Sequence, residues 1–284
     1  MNIHDYMGKN IPDILTDENK QELYRANWDQ LKINYGDNVE WQRLKKQILL
    51  CDETREYLYG TKPEKVRYVR GTRPILEKYV EDATKDAKTD REKVLALMSF
   101  CRDLYKNDPN NALPYNLVYG GTEEQLIEKG ENLCECLGRL MVSLSEIAGF
   151  PGRIVMHMAG HIVCEIYFED RWAYLDPRAG MFYLDDEGKF LSIDEVWRNR
   201  EVILQQTDFV KSFVSDRWTY EQRQTRNYTI LFSPQEMHCF CDYSLMDREE
   251  YTYDQKSREE MLQDGMRDAA RRYRAVIEKL YPAN

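Results

Sequence analysis

The sequence predicts an α+β fold in which helices pack on a mainly antiparallel sheet. Apolar residues recur at helical spacing over 94–104 and 133–147, and each stretch follows a capping pattern. From Ile154 to Leu175 the period changes to the alternation of strands. These strands follow one another through short turns, without the strand–helix alternation that builds a parallel sheet.

The elements are justified in order. Thr16 caps an expected helix carrying Leu23, Tyr24, Trp28, Leu31 and Tyr35, ended by Gly36. Trp41, Leu44, Ile48 and Leu49 suggest a second helix, and Leu76, Tyr79 and Val80 a third after Pro74. Thr89 with Glu92 is a capping box for a helix with Val94, Leu97, Met98, Cys101 and Leu104 on one stripe. Residues 107–114 break it. Thr122 with Gln125 opens a short helix that ends near Gly130. Asn132 with Glu135 caps a helix with Leu133, Leu137, Leu140, Met141, Leu144 and Ile147 on one face. Gly149 stands at its C′ position, and Pro151 prevents continuation. Residues 154–158, 162–168 and 172–175 alternate as strands. Ser192 with Glu195 starts another helix, and 228–232 and 238–243 read as strands. Ser257 with Glu260 caps a final helix carrying Met261, Leu262, Met266, Ala270, Tyr273 and Val276. On this reading 1–87 form a helical N-terminal region, 88–205 a core, and 206–284 an extension packed with it.

Composition narrows the function. The chain has 284 residues, of which 42% are hydrophobic, enough for a sizeable core. A net charge of -10 argues against nucleic acid or an anionic membrane as partner. No apolar run approaches the ~18 residues of a membrane span. The first nine residues lack the apolar segment of a signal peptide. Seven cysteines, an odd count, point to reduced thiols in a cytoplasm rather than a disulfide scaffold.

The chemistry concentrates between Cys134 and Pro177. With Asn132 as cap, Cys134 falls in the first helical turn, where free N–H groups and the helix dipole favour a thiolate. Its own amide is a natural oxyanion donor. A turn at Glu169-Asp170 sets Phe168 opposite Arg171 and Val163 opposite Asp176. His161 and Asp176 then share a face as diagonal neighbours about 7–8 Å apart, within reach of a carboxylate–imidazole hydrogen bond. Asp176 orients His161, and His161 takes the proton of Cys134.

These residues resemble the transglutaminase-like superfamily, whose catalytic logic is that of papain-like thiol enzymes. That family shows a cysteine at a helix start, a Gly-Ile-Pro-Ala-Arg-like turn, His-Ala-Trp-Val-Glu and Trp-x-x-x-Asp-Pro. This chain has Cys134, Gly149-Phe150-Pro151-Gly152-Arg153, His161-Ile162-Val163-Cys164-Glu165 and Trp172-Ala173-Tyr174-Leu175-Asp176-Pro177. The likeness covers roughly residues 88–180. It implies a papain-like core with Cys134, His161 and Asp176 as triad, acting on a protein, peptide or amide-containing small molecule without a cofactor. Asn132 stands where the family often has glycine, and Val163 where it often has an aromatic residue. No tryptophan lies between Trp41 and Trp172 to act as an upstream oxyanion donor; Asn116, Tyr115 and Tyr119 are candidates, and nothing in the sequence favours one.

Other constellations compete less well. Cys136 lies about 200° round the helix from Cys134, so both cannot face His161. His157 and His161 have metal-ligand spacing only in a helix, which Gly160 and the strand-like flanks oppose. His238, Cys239 and Cys241 lack the usual zinc spacing.

Overall fold

The strands and helices come from one computed structural model, which describes the backbone of 48–49 and residues 58–107, 122–130, 133–157, 161–231 and 238–246. The helices expected from Thr16 and Ser257 lie outside the described residues.

In chain order the elements are β1 (Ile48–Leu49), α1 (Pro74–Thr84), α2 (Asp90–Asp103), α3 (Glu123–Lys129) and α4 (Cys134–Ile147). Then come β2 (Gly152–His157), β3 (His161–Phe168), β4 (Arg171–Asp176) and β5 (Met181–Phe182). The short helices α5 (Ile193–Arg198), α6 (Glu201–Leu204) and α7 (Asp208–Lys211) precede α8 (Tyr220–Leu231) and β6 (His238–Asp242). The strands form one sheet in the order β1-β6-β2-β3-β4-β5, every neighbouring pair antiparallel. Helices on an antiparallel sheet are the expected α+β class.

The local signals explain most boundaries. Thr89, Thr122 and Ser192 each accept from the backbone three residues on, and Glu92, Gln125 and Glu195 reach back, completing three capping boxes. Gly149, at φ 94, ends α4, with its N–H on the Glu146 carbonyl and that of Phe150 on Ser145. Leu137, Leu140, Met141 and Leu144 are fully buried on α4. Each contributes about 1.5–3 kcal/mol by leaving water. The missing side chain of Gly138 lets α4 approach β3, because a Cβ there would lie 3.3 Å from the Val163 carbonyl oxygen.

Three expectations need correction. Ile48–Leu49 is a strand paired with Phe240 and Cys239, not the end of a helix. Two residues carry no readable period, and pairing with β6 decides their state. Residues 228–231 belong to helix α8, not to a strand. Thr219 and Gln222 form a capping box there, with reciprocal hydrogen bonds of 3.0 and 3.3 Å. The buried face of α8 includes Arg223 and Asn227, so a search for apolar residues alone misses the helical period. Finally, Leu133 is the N-cap of α4 and Cys134 its first residue. The expected cap, Asn132, lies outside the described residues.

Two tight turns position the site. Glu169 and Asp170 both have positive φ, 51° and 58°, the two-residue geometry that matches strand twist. The resulting register pairs Phe168 with Arg171 and Cys164 with Leu175, as expected. After β4, Gly180 at φ 70 donates its N–H to the Asp176 carbonyl at 2.8 Å. A Cβ on Gly180 would collide with the Phe213 carbonyl oxygen. Gly180→Ala is expected to cost about 2–3 kcal/mol, from overpacking and left-handed strain, read as a lower urea midpoint.

Candidate active site

Cys134 opens α4, whose N-cap, Leu133, has no side-chain acceptor to offer. The thiol is half-buried. His161 opens β3 and Asp176 closes β4, and they are 2% and 0% exposed. His161 Nε2 lies 2.8 Å from Asp176 Oδ2. The other ring nitrogen, Nδ1, is buried and makes no hydrogen bond of regular geometry. The Cys134 sulfur is close enough to the ring to interact with it. Such contacts in a resting site are loose and tighten around substrate. All three predicted site residues therefore converge.

The charges follow from these neighbours. Burial by itself pushes the Cys134 thiol up, but the His161 hydrogen bond and charge, with the Ile162 backbone N–H, bring it below the ordinary thiol value. Burial pulls His161 down, and the Asp176 carboxylate and Cys134 outweigh it, raising the imidazole to about 9. Asp176 is held well below the usual carboxylate range despite its burial, by His161, Arg223 and the Ala179 N–H. The lowered thiol and the raised imidazole both shift the balance toward a thiolate–imidazolium pair.

Asp176 is over-determined. Its Oδ1 accepts the backbone N–H groups of Arg178 and Ala179, both at 3.1 Å. Its Oδ2 also accepts from Arg223 Nη2 at 3.1 Å. The sequence reading missed Arg223. Its signal is Thr219-x-x-Gln222, which sets the helix that places Arg223, Asn227 and Leu231 on one buried face.

Arg153 and Glu165 of the motif do structural work. They are register partners on β2 and β3, and Arg153 Nε and Nη2 lie 2.8 and 2.6 Å from Glu165 Oε2. Glu165 Oε1 accepts the Tyr59 hydroxyl at 3.0 Å and the Ile193 N–H at 2.8 Å. The Arg153 guanidinium is packed among the rings of Trp172, Tyr59 and Phe240 at 4.0–4.8 Å.

The competing residues sit elsewhere. Cys136, Cys101 and Cys164 are buried free thiols, and burial pushes Cys101 and Cys164 up. His157 lies in a strand, between His161 on β3 and His238 on β6. Among the described residues no group of three or more His, Cys, Asp or Glu is arranged to hold a metal. No helix among them is long and apolar enough to cross a membrane. Asn116, Tyr115 and Tyr119 lie outside the described residues.

No curated protein and no solved structure matches the chain. Residues 77–177, which run from α1 to just past β4 and hold Cys134, His161 and Asp176, match the family model of the transglutaminase-like superfamily, a likeness that covers roughly one-third of the chain.

Proposed function

We propose that this chain is a cytoplasmic, cysteine-dependent acyl-transfer enzyme acting on a peptide or carboxamide bond through a Cys134 thioester. The observation that carries the reading is the His161–Asp176 hydrogen bond, with the remaining ring nitrogen left to a thiol at the start of α4. The sulfur attacks the carbonyl carbon while its proton rests on His161. The oxyanion develops beside the N–H groups of the first turn of α4. The imidazolium then protonates the leaving nitrogen, the C–N bond breaks, and a thioester remains. Neutral His161 takes a proton from water, which attacks the thioester and releases the acid and the thiol. An amine in place of water gives transamidation. Water is the more abundant acceptor, so hydrolysis is the first reading and cross-linking the second.

Alkylation tests it. At pH 6 iodoacetamide is expected to label Cys134 well ahead of the buried Cys101, Cys136 and Cys164, read by peptide mapping. Uniform slow labelling would point instead to a binding or scaffold protein. The pH profile has two limbs of known sign. A lowered Cys134 keeps the labelling fast below the ordinary thiol pKa of ~8.5. Turnover falls as pH rises past about 9, where His161 loses its proton, whereas labelling does not fall. Trapping by electrophilic amides is lost in Cys134→Ala and kept in Cys136→Ala.

A further inference from the structure

Arg223 stands near the start of α8, outside the residues 77–177 that match the family model, and is 2% exposed. The capping box of Thr219 and Gln222 sets the helix start, and the Trp218 indole lies 4.7 Å from the guanidinium carbon. Arg223 Nη2 donates to Asp176 Oδ2 at 3.1 Å, the same oxygen that lies 2.8 Å from His161 Nε2. Its Nε is buried without a hydrogen-bond partner among the described residues.

The carboxylate has its hydrogen bonds without this arginine. Oδ1 accepts the N–H groups of Arg178 and Ala179, and Oδ2 faces the imidazole. A buried N–H left unpaired costs stability, and a well-packed apolar residue in place of a buried charge is often neutral or stabilising. Packing of α8 therefore does not require a guanidinium here.

Two nitrogen donors that can both be cations meet on one carboxylate oxygen. The guanidinium keeps its charge at every working pH. The carboxylate favours the imidazolium, and the guanidinium beside it opposes that preference. The neighbouring titratable groups leave this contest to Arg223. Burial pushes Tyr174 on β4, Tyr183 after β5 and Cys164 on β3 up, so they stay neutral. Cys134 on α4 favours the imidazolium, as Asp176 does. His157 on β2 stacks with the His161 ring at 6.3 Å between centres. Arg226 acts on Asp176 from an exposed position, where water screens it.

We infer that Arg223 is a positioning residue of the triad, which shares the Asp176 oxygen with His161 and keeps the imidazolium a ready proton donor to the leaving nitrogen. The inference rests on the reading of Cys134 as nucleophile and His161 as its acid–base partner. A carboxylate sealed from water, with no second cation on it, would hold the imidazolium too firmly for the proton to be handed on. The proton concerned is the one on Nδ1, taken from the thiol and delivered to the leaving nitrogen. None passes to Asp176 or Arg223.

The test follows the His161 ring by NMR in protein labelled with 15N-histidine. The chain has four histidines, and the signal that His161→Asn removes assigns the ring. In the wild type it titrates at about 9. Arg223→Gln is expected to raise that midpoint by about one to two pH units, and Arg223→Met, which has no amide to offer Asp176, to do the same. Arg223→Lys keeps the charge and leaves the midpoint near the wild-type value. An unchanged midpoint in Gln and Met overturns the inference, and so does an equal shift in Lys, which would make geometry rather than charge the cause. Unfolding of both uncharged variants with Lys folded would make Arg223 a structural residue, again overturning it. Iodoacetamide labelling at pH 6 separates the two readings. Labelling of the wild type without preference for Cys134 ends the nucleophile reading, whatever the midpoints, whereas selective labelling with unmoved midpoints ends the role of Arg223 alone.

Discussion

Replacing Glu165 by alanine is expected to destabilise the fold by about 3–5 kcal/mol, the effect of breaking a buried ion pair by removing its carboxylate. Arg153 is 4% exposed and Glu165 0%. Removing the carboxylate takes away the acceptor shared by Arg153 Nε and Nη2, inside the enclosure of Trp172, Tyr59 and Phe240. It also leaves the Tyr59 hydroxyl and the Ile193 N–H without their acceptor. Equilibrium urea unfolding followed by tryptophan fluorescence measures the loss. Arg153→Met combined with Glu165→Leu should recover part of it, since the buried guanidinium is removed along with its carboxylate. The recovery is incomplete because two buried donors remain unsatisfied, at about 1–3 kcal/mol each. A Glu165→Ala protein as stable as the wild type would show that the pair and its network contribute nothing.

Asp176→Asn is expected to lower turnover by about a thousand- to ten-thousand-fold on the proposed mechanism, as loss of the orienting carboxylate does in related triads. Asparagine keeps the shape but presents either a donor to two donors, His161 and Arg223, or an uncharged oxygen. The imidazole then loses the charge that raises it to about 9, and with it the thiolate partner. The pH dependence of stability checks the cause. Asp176 has a lowered folded pKa, so its contribution is present above the unfolded value of ~3.9 and is lost as pH falls toward the folded one. His161 has the opposite sign. Its contribution is complete below ~6.5 and is lost as pH rises through about 9. The variant should lack the acid-side loss. Wild-type turnover in Asp176→Asn would remove the carboxylate from the mechanism.

Much of the fold and the candidate site is legible in the residues because short-range rules decide it. The Thr89, Thr122 and Ser192 boxes need only three residues each to start a helix. Gly149 ends α4 because a positive φ suits glycine. The two-residue turn at Glu169-Asp170 admits one register, and that register brings His161 and Asp176 together. Spacing along the chain thus determines the helix starts, the hairpin and the pairing of imidazole with carboxylate.

Tertiary structure alone decides the rest. Ile48–Leu49 becomes a strand only when β6 arrives beside it from far along the chain. Arg178, Arg217 and Arg223 come from two stretches separated by three short helices, and no local pattern says that they meet on Trp218. Arg223 reaches Asp176 because α8 folds back over the end of β4. Local hydrogen bonding and chain geometry act over a few residues and can be read from them. Charge and packing act through space, between residues whose separation in sequence carries no record of their distance.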